Sequence, residues 1–134
     1  MQMKEISSIS CGAVIYAALK PLFPGGHVRP VLSETDVTLP LVTFRRSNVA
    51  TIPTRGDLHH DEVEMEFVVF SDDYGGGIAA MERVRTAMMQ RLELNVDGWT
   101  VTMDCNRVTG GEESWKDGAF VQTLRMVYRV GVHA

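Results

Sequence analysis

Val63-Glu64-Met65-Glu66-Phe67-Val68-Val69-Phe70, followed by Ser71-Asp72-Asp73-Tyr74 and a helical stretch to Leu92, is the passage whose reading decides the fold. Successive side chains of an extended chain point to opposite sides. Val63, Met65, Phe67 and Val69 therefore share one face, and Glu64 and Glu66 share the other with Val68 and Phe70. Burying two unpaired carboxylates is too costly, so the strand predicts a sheet with one dry face and one wet face. Ser71, Asp72 or Asp73 is placed to cap a helix. Beyond them Ile78, Met81, Val84, Met88 and Leu92 recur at three- and four-residue spacing, the mark of a one-sided amphipathic helix. A helix of about 27 Å, for some 18 residues, is long enough to lie across a small sheet.

Outward from this unit the chain reads as further strands and one more helix. Upstream, Ser7 and Ser8 precede Ile9, Ala13, Tyr16, Leu19 and Leu22 or Phe23, a helical spacing that Pro24-Gly25-Gly26 cannot continue. A short extended piece, His27 to Val31, follows. Leu41 to Arg46 alternates and continues toward Ile52, and the segment 53 to 60 reads as a long hairpin loop returning the chain into Val63. Downstream, Asn95-Val96-Asp97-Gly98 is a tight turn, and Trp99, Val101, Met103 and Cys105 alternate with Thr100, Thr102, Asp104 and Asn106. Residues 107 to 118 read as a second long polar loop carrying Trp115. In the closing strand, Phe120, Leu124, Met126, Tyr128, Val130 and Val132 face one side and Thr123, Arg125, Val127 and Arg129 the other. The expectation is a single α+β domain over 1–134: a mostly antiparallel sheet of four or five strands, with helices near 8 to 23 and 75 to 92 packed on one face.

Composition narrows the function. The 134 residues carry 13 basic and 17 acidic side chains, a formal charge of −4, which argues against a sequence-independent grip on nucleic acid. The two cysteines, Cys11 and Cys105, have no paired spacing, and the expectation is reduced thiols in a cytosolic protein. Neither a signal peptide nor a run of the ~20 apolar residues that a membrane span needs is expected.

Little in the sequence looks like chemistry. His59-His60-Asp61-Glu62 is the only run of metal-capable side chains, but neighbours on an extended chain diverge, so no metal is expected. Gly75-Gly76-Gly77 lacks the Gly-Lys-Ser/Thr ending of a phosphate loop and reads as a flexible helix entry. Asp72-Asp73 is explained by capping. Cys11 on an apolar helix and Cys105 on the core side of a strand read as small core residues rather than nucleophiles. No catalytic residue and no cofactor are expected. Arg85 falls inside the sector bounded by Val84 and Met89, between Met81 and Leu92. Either its stem follows the core edge and its guanidinium reaches water, or it is a paired arginine at a subunit contact. Glu64, Glu66, Arg125 and Arg129 join it as candidate interface charges on the wet face.

Several stretches together resemble the siphophage tail-completion family, the tail-to-head joining or tail-terminator proteins. They are Ile15-Tyr16-Ala17-Ala18-Leu19 in the opening helix and Leu39-Pro40-Leu41-Val42-Thr43-Phe44 at a strand entry. With them go Glu66-Phe67-Val68-Val69-Phe70-Ser71 before Tyr74 and a long helix, and the closing Val121 to Val130. The triple glycine and the length of the 107–118 loop depart from the pattern. The resemblance implies a structural protein without chemistry, forming a homo-hexameric ring that caps the tail tube, ends its polymerisation and joins the head-tail connector. It implies a location in the virion tail after assembly in the bacterial host cytoplasm, with DNA passing through the channel without specific binding. Arg55, Asp57, His59, Trp115 and Lys116, on the two long loops, are then the expected partner contacts. The competing class is a small-molecule-binding or enzymatic domain on the same scaffold.

Overall fold

The computed structural model describes residues 8–24, 27–30, 39–53 and 59–133. A 3-10 turn, Ser8–Cys11, leads into α1 (Gly12–Leu19), and a second 3-10 turn, Lys20–Leu22, follows. Strands β1 (Val28–Pro30), β2 (Leu41–Pro53) and β3 (His59–Ser71) come next. Then come α2 (Tyr74–Met88), β4 (Leu92–Val96), β5 (Trp99–Lys116) and β6 (Ala119–His133).

One sheet, in the order β1-β2-β3-β6-β5-β4, holds all six strands. β1 runs parallel to β2, and every other pairing is antiparallel. The class is α+β, but the sheet is mixed and six-stranded rather than mostly antiparallel with four or five strands. The sheet departs from the expected one in two places, the first of which supplies the sixth strand. The helix ends at Met88 instead of running to Leu92, and Leu92, Leu94 and Val96 instead line one side of β4. Residues 107 to 116 are not a loop; they continue β5, paired with β6 as far as Lys116 opposite Ala119. The hairpin turns at Asp117 and Gly118, where φ is 51° and 80°, and β4 turns into β5 at Asp97 and Gly98 in the same way, φ 51° and 87°. An Asp-Gly pair is suited to this geometry because its twist matches that of the flanking strands.

The dry face is as expected: Val63, Met65, Phe67 and Val69 are buried, with Met126, Tyr128 and Val130 of β6 beside them. Both helices cover this face, α2 on β3 and β6 and α1 reaching from β1 toward β4. The buried stripe of α2 is Gly77, Ala80, Val84 and Met88, turned from the expected one, so that Ile78 is exposed. Small residues set that rotation. A Cβ on Gly77 would lie 2.5 Å from Ser71 Oγ, so α2 approaches the end of β3 closely only because it has glycine there. Asp73 is the N-cap, accepting the Gly76 N–H at 2.7 Å. At the other end, the buried Tyr128 hydroxyl donates to the Met88 carbonyl at 2.8 Å, satisfying one of the carbonyls that a helix end leaves free. No helix among the described residues is long and apolar enough to cross a membrane.

Candidate functional site

The open face of the sheet is organised by Glu62, Glu64 and Glu66, alternate residues of β3, each meeting partners from the strands on either side. Arg45 Nε donates to Glu66 Oε1 at 2.9 Å and Arg125 Nε to Glu66 Oε2 at 3.0 Å, while Arg125 Nη2 reaches Glu112 Oε1 at 3.2 Å. Register makes this row: Arg45 pairs with Glu66 and Glu66 with Arg125. Glu64 accepts from Ser47 Oγ at 2.8 Å and Thr109 Oγ1 at 2.9 Å. Glu62 accepts from Asn106 Nδ2 and Arg107 Nη1, both at 3.3 Å, with His60 Nε2 at 3.9 Å. The Glu66 side chain is only 12% exposed. Burial pushes its carboxyl up, but the Arg45 hydrogen bond and charge, with Arg125, outweigh burial and hold its pKa below the usual carboxylate value.

Of the residues singled out in the sequence, Glu64, Glu66 and Arg125 therefore share this face and are paired within the chain. Arg129 is exposed on the same face, opposite Glu62 and Asp104 in register. Arg85 is not with them. It is exposed on α2, in the helix layer, and its charge bears on Cys105. Burial raises the pKa of that half-buried thiol despite the Arg107 backbone hydrogen bond and Arg85. Cys11 and Cys105 are free thiols, and burial pushes Cys11 up to about 11. Arg55 and Asp57 lie outside the described residues, as does the side chain of His59.

Trp115 and Lys116 end β5 beside its turn, both exposed. Trp115, 59% exposed, packs edge-on against Phe120 with ring centres 4.6 Å apart, and Phe120 against Tyr74 at 5.6 Å. The Tyr74 hydroxyl donates to Glu113 at 2.9 Å, and Gln122 Nε2 reaches the same carboxylate at 3.2 Å. The hydrogen bond to Glu113 and its charge raise the Tyr74 phenol. The tip of the hairpin is thus an aromatic corner locked to the start of α2. Local sequence carries no signal for Arg45, Arg107, Glu112 and Glu113, or for Glu62 as the centre of a polar row, because these roles depend on register between distant strands. Tyr74 and Phe120 carried a signal, since both flank the turns that bring them together.

A hollow of about 470 Å³ lies at the opposite end of the sheet, lined by Ser8, His60, Asp61, Thr102, Asp104 and Arg129 among others. Asp61 turns to the helix side, accepting from Ser8 Oγ at 2.6 Å and Thr51 Oγ1 at 2.7 Å, while His60 faces Glu62 on the open side. The divergence of neighbours on an extended strand is thus direct to see. Among the described residues no group of three or more His, Cys, Asp or Glu is placed to hold a metal ion.

No protein-family model matches the chain. No curated protein matches its sequence. Among solved structures, a chain from the virion of a native gene transfer agent particle has the same fold, with a TM-score of 0.52 and 14% sequence identity. The match covers 91% of this chain and 86% of that one.

Proposed function

We propose that the chain is a structural component of a phage or phage-like particle, and within it a tail-completion protein. As a ring, hexameric when docked, it caps the tail tube, ends tube polymerisation and offers a surface to the head-tail connector. The observation that carries this reading is the likeness in fold to a chain of a gene transfer agent virion over nearly the whole of both chains. The motif resemblance in Leu39 to Phe44, Glu66 to Ser71 and Val121 to Val130 points the same way. An exposed aromatic corner at the hairpin tip suits a partner contact, since exposed tryptophan and tyrosine are frequent anchors. In this reading the function needs no catalysis and no cofactor, the partners are further copies, the tube protein and the connector, and the location is the tail of the particle. Lys116 beside Trp115, Arg55 and Asp57 between β2 and β3, and His59 at the start of β3 belong to the surface that meets those partners. Arg85 and Arg129, both exposed, and Glu64, Glu66 and Arg125 in the open-face rows are the candidates for contacts between copies.

Negative-stain microscopy of the purified, concentrated protein tests the reading, and rings are the expected result. Deleting the gene from a phage or prophage that carries it is expected to give tails of uncontrolled length or tails without heads. Normal particles from the deletion would end the tail-completion reading.

A further inference from the structure

Among the described residues the two edges of the sheet are each half covered, at opposite ends. β1 pairs only with Val42, Thr43 and Phe44 of β2, and among the described residues no strand covers the outer side of 45–53. β4 pairs only with Trp99 to Met103 of β5, and among the described residues no strand covers the outer side of 104–116. Following the pairings across the sheet gives the levels. Val28 is level with Val42, Val69, Gln122 and Glu113, Arg29 with Glu112, and Pro30 with Gly111. Leu92 is level with Met103, Val130, Asp61 and Thr51. β1 thus stands at the level where, among the described residues, no strand covers β5, and β4 begins at the level where none covers β2.

We propose that successive copies of this chain join edge to edge through one shared strand position. In it, β1 of one copy pairs antiparallel with Gly111 to Glu113 of its neighbour's β5, and the neighbour's β4 lies parallel beside Thr51 to Pro53 of the first copy's β2. The occupant of each bare edge is a second copy, for three reasons. Direction agrees: β1, β2, β4 and β6 all run one way and β3 and β5 the other, so β1 and β4 enter the shared position head to tail without reversal. Level agrees, since the two short strands do not overlap along it. Charge agrees: Arg29 and Glu112 are level and on the same open face, so Arg29 comes to lie opposite the carboxylate that Arg125 of the neighbour's own chain also holds at 3.2 Å.

The geometry of β5 also selects a short partner. Its register shifts fall between Cys105 and Arg107 and between Val108 and Gly110, and such irregularities blunt an edge against long unselective pairing. Gly111 to Lys116, beyond both, is regular and exposed throughout. β1 is three residues long and needs no more. The contact uses different surfaces on the two copies, so repetition gives a closed ring when the rotation per step divides a full turn. The inference rests on the reading of this chain as a ring component and specifies how the ring is joined.

Paired cysteines test it. Arg29→Cys and Glu112→Cys in one chain, with Cys105→Ser, are probed with a short thiol-to-thiol reagent in the concentrated protein and in particles purified from cells producing it. The expected result is a covalent ladder ending at one closed species, while a mixture of the two single variants stops at covalent dimers. Presence in particles without crosslinks in either setting overturns the edge pairing and leaves the particle role intact. Crosslinks in concentrated protein with none of the chain in particles support the pairing and overturn the role. Absence from particles with no crosslinks overturns both. Glu112→Arg is expected to weaken association about two- to fivefold and added Arg29→Glu to restore it, the range of an exposed ion pair; equal association of all three chains removes the charge match from the proposal.

Discussion

The two faces of β3 belong to adjacent residues of the same chain and are held by different physics. Phe67 on the helix side is fully buried in the apolar core, and its neighbour Glu66 on the open side is held by two arginines from two other strands. Apolar burial is non-directional, so the helix side needs only the right volumes. The open side needs the right register, because a one-residue slip would remove every partner of Glu62, Glu64 and Glu66 at once. The core thus supplies the stability and the charged rows specify which strand lies beside which. The predictions below set one face against the other, beginning with the largest effect.

Replacing Phe67 by Ala empties the centre of the dry face and is expected to cost about 3 to 5 kcal/mol. A denaturant midpoint unchanged from the parent would reverse the assignment of faces. Gly77→Ala is the next largest. The added methyl meets the buried Ser71 Oγ, and the expected loss is about 1 to 3 kcal/mol in thermal or chemical unfolding. Ser71→Gly in the same chain should recover part of that loss, because it removes the atom in the way. If Gly77→Ala alone is neutral, close approach is not what turns α2 on the sheet.

On the open face, Glu66→Gln is expected to cost about 1 to 2 kcal/mol at neutral pH, since two charged hydrogen bonds weaken together. It should also change the acid limb of the stability profile. The folded pKa of Glu66 lies below its unfolded value near 4.3. Its contribution is therefore complete above that unfolded value and is lost as pH falls through it toward the lower folded value. The parent should lose stability below about pH 4.5 faster than the Gln variant does. Parallel acid limbs would show that the Arg45–Glu66–Arg125 row adds nothing to stability and serves register alone.

Legibility in the sequence followed the same division. The dry faces of β3 and β6, the capped start of α2 and the Asp97-Gly98 turn were readable, because burial leaves an alternating or helical record in local sequence. β4 was hidden by Leu92, which continues the helical stripe of α2 as well as it begins a strand. The outer half of β5 looks like a loop in the sequence because neither of its faces is covered. Thr109, Glu112 and Ser114 are exposed on one side and Glu113 and Trp115 on the other, so no alternation marks it. Pairing with β6 holds it instead, and Asp117-Gly118 between Trp115 and Phe120 was the turn signal available. The charged rows could not be read at all. Glu66 and Arg125 are 59 positions apart, and only the completed sheet brings them level. Arg85, placed by the helical sector at the core edge, is exposed because the small residues Gly77 and Ala80 turn the buried stripe away from it.

The smallest expected effect on stability belongs to the hairpin tip, where effect on function is expected to be largest. Excising 111–117 would remove residues paired with β6, so its failure would report on folding as much as on partners. Trp115→Ala separates the two. Trp115 is mostly exposed and its one aromatic contact, to Phe120, is at the rim, so the substitution is expected to cost under about 1 kcal/mol. The Tyr74–Glu113 hydrogen bond and the β5–β6 pairing remain in place and keep the corner folded. If the tip meets the tube or the connector, a phage carrying the variant should make stable protein that enters particles poorly, with long or headless tails, because an exposed tryptophan at a contact is a frequent energetic anchor. Full infectivity with parent-like stability would instead remove Trp115 from the partner contact and leave the Tyr74–Glu113 hydrogen bond and the β5–β6 pairing as what ties the far end of the hairpin to the first turn of α2.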